Sequence, residues 1–323
     1  MDFTFKILRQ LLQSLKAGEH QFISVSDHLH DPSVEKFILL RHDVEKHYEN
    51  ALEFAKMENE MGMRGTYYFR FSKKHFNAGI VAEIASLEHE IGYHYDDLSK
   101  CRGNTDLAIE RFKKNLGVLR QIATVETICM DGSPLSKYDN KDLWKKYNYK
   151  DLGLTGEPYF DIDFSKVGYL TDTGRRWDGE KVSVRDKVKT GERRTKTEHD
   201  EILNSPPPVG GGREGAENRG TKTEDHTILN SPPPVGGGRE GAEDRKSKIE
   251  HRTSTQHLSS TPESRTSYHT TNDIIEAAQN GQLPDQLMLT FHPQRWTDKP
   301  LPWVKELVWQ NLKNQVKRLI VKQ

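Results

Sequence analysis

The chain has 323 residues, 48 Lys and Arg against 48 Asp and Glu, 33% hydrophobic residues, 9% aromatics and two cysteines. Zero net charge gives no electrostatic case for a nucleic acid or an anionic membrane surface as partner, and no apolar run approaches the roughly 20 residues that span a bilayer. Cys101 and Cys129 lack CxxC spacing, and Met1-Asp2-Phe3-Thr4-Phe5-Lys6 has no secretion signal, so a cytoplasmic protein with buried thiols is expected.

The first strand expected along the chain is Phe37-Ile38-Leu39-Leu40, followed by an amphipathic helix over 48–61. A strand over 65–69, a helix over 80–87, a strand over 90–95, a helix over 106–121 and a strand over 127–130 come next. Beyond Asp131 the pattern blurs, with short strands expected at Tyr169-Leu170-Thr171 and Val182-Ser183-Val184. The C-terminal part offers a helix over 272–280, a strand over 287–291 and a last helix over 303–321. That last helix aligns Trp303, Leu307, Val308, Leu312, Val316 and Leu319 on one face. Strands alternating with helices argue an α/β fold with a parallel sheet, open or closed as a barrel.

The segment 190–267 interrupts this pattern. Within it ILNSPPPVGGGREGAE occurs at 202–217 and again, letter for letter, at 228–243, a period of 26 residues. A solenoid repeat needs an apolar face for its neighbour, and these units offer only Ile, Leu, Val and Ala beside PPP and GGG. Such a segment cannot offset its ordering entropy and is expected to be a disordered surface insertion. One domain is therefore expected from 1–189 together with 268–323.

In either parallel architecture the loops at the C-terminal strand ends build the site. Those ends carry Arg41-His42-Asp43-Val44-Glu45, His94-Tyr95-Asp96-Asp97, Asp131-Gly132-Ser133-Pro134 and His292-Pro293-Gln294-Arg295-Trp296. Four ends loaded with carboxylates and imidazoles form a candidate metal or acid–base site. Asp43 and Glu45 are two apart and share a face with Arg41, so either a cation lies between the carboxylates or Arg41 pairs with Asp43 while Glu45 is solvated. His89 and His94 are five apart, on opposite faces of a regular strand, and of the two His94 is the candidate.

FILLRHDVEKHYENALEFAKMENEMGMRGTYYFR and LEHEIGYHYDDL resemble the polysaccharide deacetylases of the NodB-homology type, carbohydrate esterase family 4, in its uncharacterised bacterial branch with an RHDVD first motif. DGSPLSKYDN, EPYFDIDF, YLTDTGRRWDG and LMLTFHPQRW are similar to the same branch, and the likeness spans roughly 5–189 and 268–317. The resemblance implies a deformed (β/α) barrel of about seven strands holding one divalent metal, zinc or manganese. It implies an Asp general base acting on a metal-bound water, here Asp43, with Glu45 and His94 as ligands and His292 as the acid.

The family's second ligand histidine would fall at Leu98, so the third ligand passes to Asp97, Asp96 or Asp131, and the family's Arg-Pro-Pro-Tyr segment is absent. The activity implied is removal of an acetyl group from an N-acetylated sugar or glycan precursor. The alternatives are a catalytically degenerate sugar-binding barrel and an allantoinase-like hydrolase of another C–N bond. Tyr95, Tyr138, Trp177 and Trp296 could stack on sugar faces, and Arg176 and Arg295 could receive an anionic sugar.

Overall fold

The computed structural model describes residues 1–72, 74–177 and 268–321, with side chains as far as 310. The repeat-bearing segment 190–267 and the strand expected at Val182-Ser183-Val184 lie outside the described residues.

Helix α1 (Phe5–Lys16) begins where the Thr4 hydroxyl accepts the Ile7 N–H, and it buries Ile7, Leu8, Leu11, Leu12 and Leu15 along one face. Strand β1 (Gln21–Ile23) leads into α2 (Val25–His30), opened by a capping box between Ser24 and Asp27. Strand β2 (Phe37–Val44) runs four residues past the apolar stretch that predicts it, and all eight residues are buried. Charged residues do not end it, because Arg41 and Asp43 neutralise each other on the same face.

Helix α3 (Tyr48–Glu60), β3 (Thr66–Phe69), α4 (Ala78–Ser86), β4 (Glu90–Tyr95), the short α5 (Asp97–Lys100), α6 (Thr105–Arg120) and β5 (Ile128–Met130) follow. Two 3-10 turns and α7 (Pro158–Asp161) lead to β6 (Gly168–Thr171). Helix α8 (Thr271–Gln279), β7 (Gln286–Phe291) and α9 (Pro300–Val321) complete the described part.

Every strand pairing is parallel, in the order β5-β4-β3-β2-β7-β6, and the sheet curls into a half-barrel. Strand β1 pairs with Phe37–Leu39 and β3 with Arg41–Val44, so the two share one side of β2 while β7 takes the other. The side-chain period of two divides β2 between two cores. Ile38, Leu40 and Val44 pack outward under the helices, whereas Phe37 and Leu39 point inward with Met288, Tyr169, Ile162 and Phe164. That inner cluster plugs the N-terminal end of the barrel. Above it the interior turns polar, with Arg41 and then Asp43.

The face expected for the last helix is corrected at one position: Trp303 and Leu307 turn inward with Gln310, whereas Val308 is exposed, as are Leu301 and Val304. Glu306, Trp309 and Gln310 of α9 line a cavity. Leu312, Val316 and Leu319 lie outside the described side chains. Among the described residues no helix is long and apolar enough to cross a membrane.

Candidate metal centre and active site

All strands being parallel, their C-terminal ends open on one side of the sheet, and there they surround a cavity of about 840 Å³. Asp43 and Glu45 come from β2, Arg70 follows β3, His94 ends β4, Asp131 follows β5 and His292 follows β7. This volume lies within the usual range of small-molecule sites.

Glu45, His94 and Asp131 place one ligand atom each within 4.8 Å of the others. His94 lies with Nδ1 3.1 Å from the Cys129 carbonyl, which can only accept, so Nδ1 carries the proton and the Nε2 lone pair is left for a ligand. Nε2 stands 3.8 Å from Asp131 Oδ2. Asp131 is held on both sides. Its Oδ1 accepts the Ser133 N–H and hydroxyl at 2.7 and 2.8 Å, and its Oδ2 accepts Arg70 Nη1 at 2.8 Å. Ser133 adopts φ 37° to close this turn, and Asn140 Nδ2 donates to the Asp131 carbonyl at 2.7 Å.

Burial alone would raise the Asp131 carboxyl, but His94, Arg70 and the Ser133 hydrogen bonds outweigh it and hold it below the ordinary value. Arg70 also approaches Glu45 at 3.6 Å, so a positive group already bridges the two carboxylates. One imidazole nitrogen and two carboxylates form a donor set that could hold a divalent ion of hard to borderline character in competition with Arg70.

Asp43 lies one step deeper. Arg41 grips it through Nε and Nη2 at 2.9 and 2.8 Å, with both side chains buried. Of the two arrangements open to Arg41, Asp43 and Glu45, the Arg41–Asp43 pair is the one formed, and Glu45 turns to Arg70 instead of to solvent alone. Burial raises the Asp43 carboxyl. The Arg41 guanidinium, with His94 and His292 behind it, overrides that and leaves it well below the usual carboxylate range. Cys129, opposite His94 in the β4–β5 register, joins Asp43 and His94 in a second, fully buried group whose ligand atoms lie within 4.8 Å.

On the other wall His292 is fixed by a residue absent from the sequence reading, Asp172. The Asp172 Oδ1 lies 2.6 Å from His292 Nδ1, and Oδ2 accepts the His292 N–H at 3.0 Å and the Trp296 indole at 2.7 Å. Arg295 adds a contact at 3.2 Å. Burial raises the Asp172 carboxyl, and His292 and Arg295 pull it below its ordinary value, so it is an anion that orients the imidazole. The signal was present: Asp172 directly follows Tyr169-Leu170-Thr171, a fifth strand end, as Arg70 directly follows Phe69.

Other expected residues lie elsewhere. Asp97 faces α6, accepting from Tyr93, Arg111 and Asn115, and does not line the cavity. Asp96 lines it, but its carboxylate is taken by Arg111 at 2.9 Å. Of the three acids named for the third ligand, Asp131 is the one grouped with Glu45 and His94. Leu98 packs into the outer core and offers no ligand atom.

Trp177 and Trp296 are corrected from sugar platforms to core residues. Both are buried, and with Phe3 and Phe291 they form one aromatic cluster that leaves no face for a ligand. Tyr95 is likewise buried against Phe112 and Trp144. Arg176 is half-buried and does not line the cavity, whereas Arg295 and Tyr138 do.

No family model, curated protein or solved structure matches the chain.

Proposed function

We propose that this chain is a metal-dependent hydrolase of a C–N bond, and that it removes an acetyl group from an N-acetylated sugar, as its resemblance to the NodB-type polysaccharide deacetylases implies. The observation that carries the reading is a cavity floor where Glu45, His94 and Asp131 group within 4.8 Å, flanked by Asp43 and by His292 on Asp172.

Glu45, His94 and Asp131 would hold the ion. When bound, a divalent ion supplies Lewis acidity toward an acetamide oxygen and lowers the pKa of water toward ~7. Asp43, kept ionised by Arg41, accepts a hydrogen bond and then the proton of the attacking water. Its low basicity means that orientation is a larger share of its work than proton affinity. His292 acts in its doubly protonated form: Nδ1–H is held by the Asp172 carboxylate, whose charge stabilises the imidazolium, and Nε2–H passes its proton to the departing amine, the ring regaining one from water afterwards. Arg295 and Tyr138 border the space where the rest of the sugar lies.

The test is metal content of the purified protein beside turnover on a panel of N-acetylated sugars. Wild type and Asp43→Asn should each retain a divalent ion, His94→Ala should lose it, and both variants should lose turnover. Failure of the wild type to bind zinc or manganese after incubation would overturn the reading. Arg70, bridging Glu45 and Asp131, would then be the permanent cation of a sugar-binding barrel without catalysis.

A further inference from the structure

Asp43, His94 and Cys129 come from β2, β4 and β5 of the half-barrel, with β3 between the first two, and their side chains converge on one another. Cys129 and His94 are register partners in a parallel pair, which puts their side chains on one face of the sheet. The three residues are buried, and their ligand atoms, an oxygen, a nitrogen and a sulfur, lie within 4.8 Å of one another. Glu45, His94 and Asp131 satisfy the same distance limit one layer nearer the cavity. The imidazole is common to both groups. Asp43 and His94 line the cavity while Cys129 does not, so the sulfur is reached through the cavity floor.

The two groups differ in chemistry. The outer one offers two carboxylates and an imidazole, which suit hard to borderline ions. The inner one adds a thiol, which a coordinated ion deprotonates, releasing the proton to solvent. Thiolate selects soft and borderline ions over magnesium or manganese. Arg41 pins Asp43 by both oxygens, each of which retains a second lone pair. That arrangement pre-forms the oxygen corner of the inner group without an ion.

We propose that His94 serves two overlapping metal sites, the inner one formed by Asp43, His94 and Cys129 and selective for thiophilic divalent ions such as cadmium, cobalt or zinc. An ion there engages Asp43, the proton acceptor of the proposed hydrolysis, so thiophilic ions in excess inhibit where manganese does not. This consequence rests on the functional reading above, but the site itself does not.

The experiment is a cadmium titration of the full chain, read by the near-ultraviolet thiolate-to-metal charge-transfer band, with a parallel manganese titration by calorimetry. The band is expected in wild type, in Glu45→Gln and in Cys101→Ser, which removes the other thiol. It is expected to vanish in Cys129→Ser and Cys129→Ala while both still bind manganese, which also shows that they fold. Cadmium binding without the band, or a band that survives in Cys129→Ser, overturns the inner site and leaves the hydrolase reading standing. A cadmium band in a wild type that binds neither manganese nor zinc at the outer group supports the inner site and overturns the hydrolase reading. No binding of any ion overturns both.

Discussion

Arg70 stands 2.8 Å from Asp131 and 3.6 Å from Glu45, where a divalent ion would have to compete with it. Removing the guanidinium frees both carboxylates and removes a like-charge neighbour. Arg70→Ala is therefore expected to tighten manganese binding roughly tenfold, about 1.4 kcal/mol, as for a charge interaction near a protein surface. Calorimetric titration of the two proteins checks it, and weaker binding in the variant would show that Arg70 orients the carboxylates instead. Asp172→Asn addresses the other wall. Asparagine keeps the shape but can turn an N–H toward His292, stabilising the wrong tautomer. Turnover is expected to fall on the order of 10³–10⁴-fold with metal content unchanged. A loss of metal together with turnover would mean that Asp172 supports the whole wall.

Gly92 shows how an element can be fixed by one missing side chain. It lies on β4 two residues before His94, and a Cβ there would collide with the Tyr68 ring and stand 3.0 Å from the Thr127 carbonyl. Tyr68 in turn reaches Thr127 with its hydroxyl at 2.9 Å. Gly92→Ala should push the ring aside and destabilise the fold by about 1–3 kcal/mol, measured by urea unfolding.

Elements also mark where the sequence was legible. Strands over 65–69, 90–95 and 287–291 were visible as apolar or aromatic runs and match β3, β4 and β7 closely. The apolar spacing of Ile7, Leu8, Leu11, Leu12 and Leu15 is an equally clear helical signal and corresponds to α1. By contrast β1 has three residues, too few for any periodicity, and its place is set by pairing with Phe37–Leu39. Asp43, Glu45, His94, Asp131 and His292 were found because parallel strands deliver their C-terminal ends to one side. Trp177 and Trp296 were misplaced because residue type near a strand end does not tell inward from outward, and aromatic area favours the core.

Across the whole molecule, buried carboxylates of opposite tendency set the response to pH. Glu157 accepts the N–H groups of Met130 and Tyr159, and its burial, offset in part by those bonds, pushes it from 4.5 up to about 7. Between about 4.5 and about 7 the folded protein holds a proton that the unfolded chain has released. Stability from this group therefore falls as pH rises through that window. Asp43, Asp131 and Asp172 are depressed and act in the opposite sense, their contribution being present above the ordinary 3.8 and lost as pH falls through their folded values. Thermal midpoints taken from pH 4.5 to 7.5 should decline for wild type and decline less for Glu157→Gln. Equal slopes would show that Glu157 titrates normally.

The backbone N–H of Trp177 meets the His269 carbonyl at 3.4 Å, and its indole donates to Thr271 at 2.9 Å. The described chain thus breaks off and resumes at one seam. Trp177 fastens both of its sides, since the same indole that holds Thr271 also packs on Phe3 and Phe291, so a substitution there would be felt at the N-terminus, at β7 and at the start of α8 together.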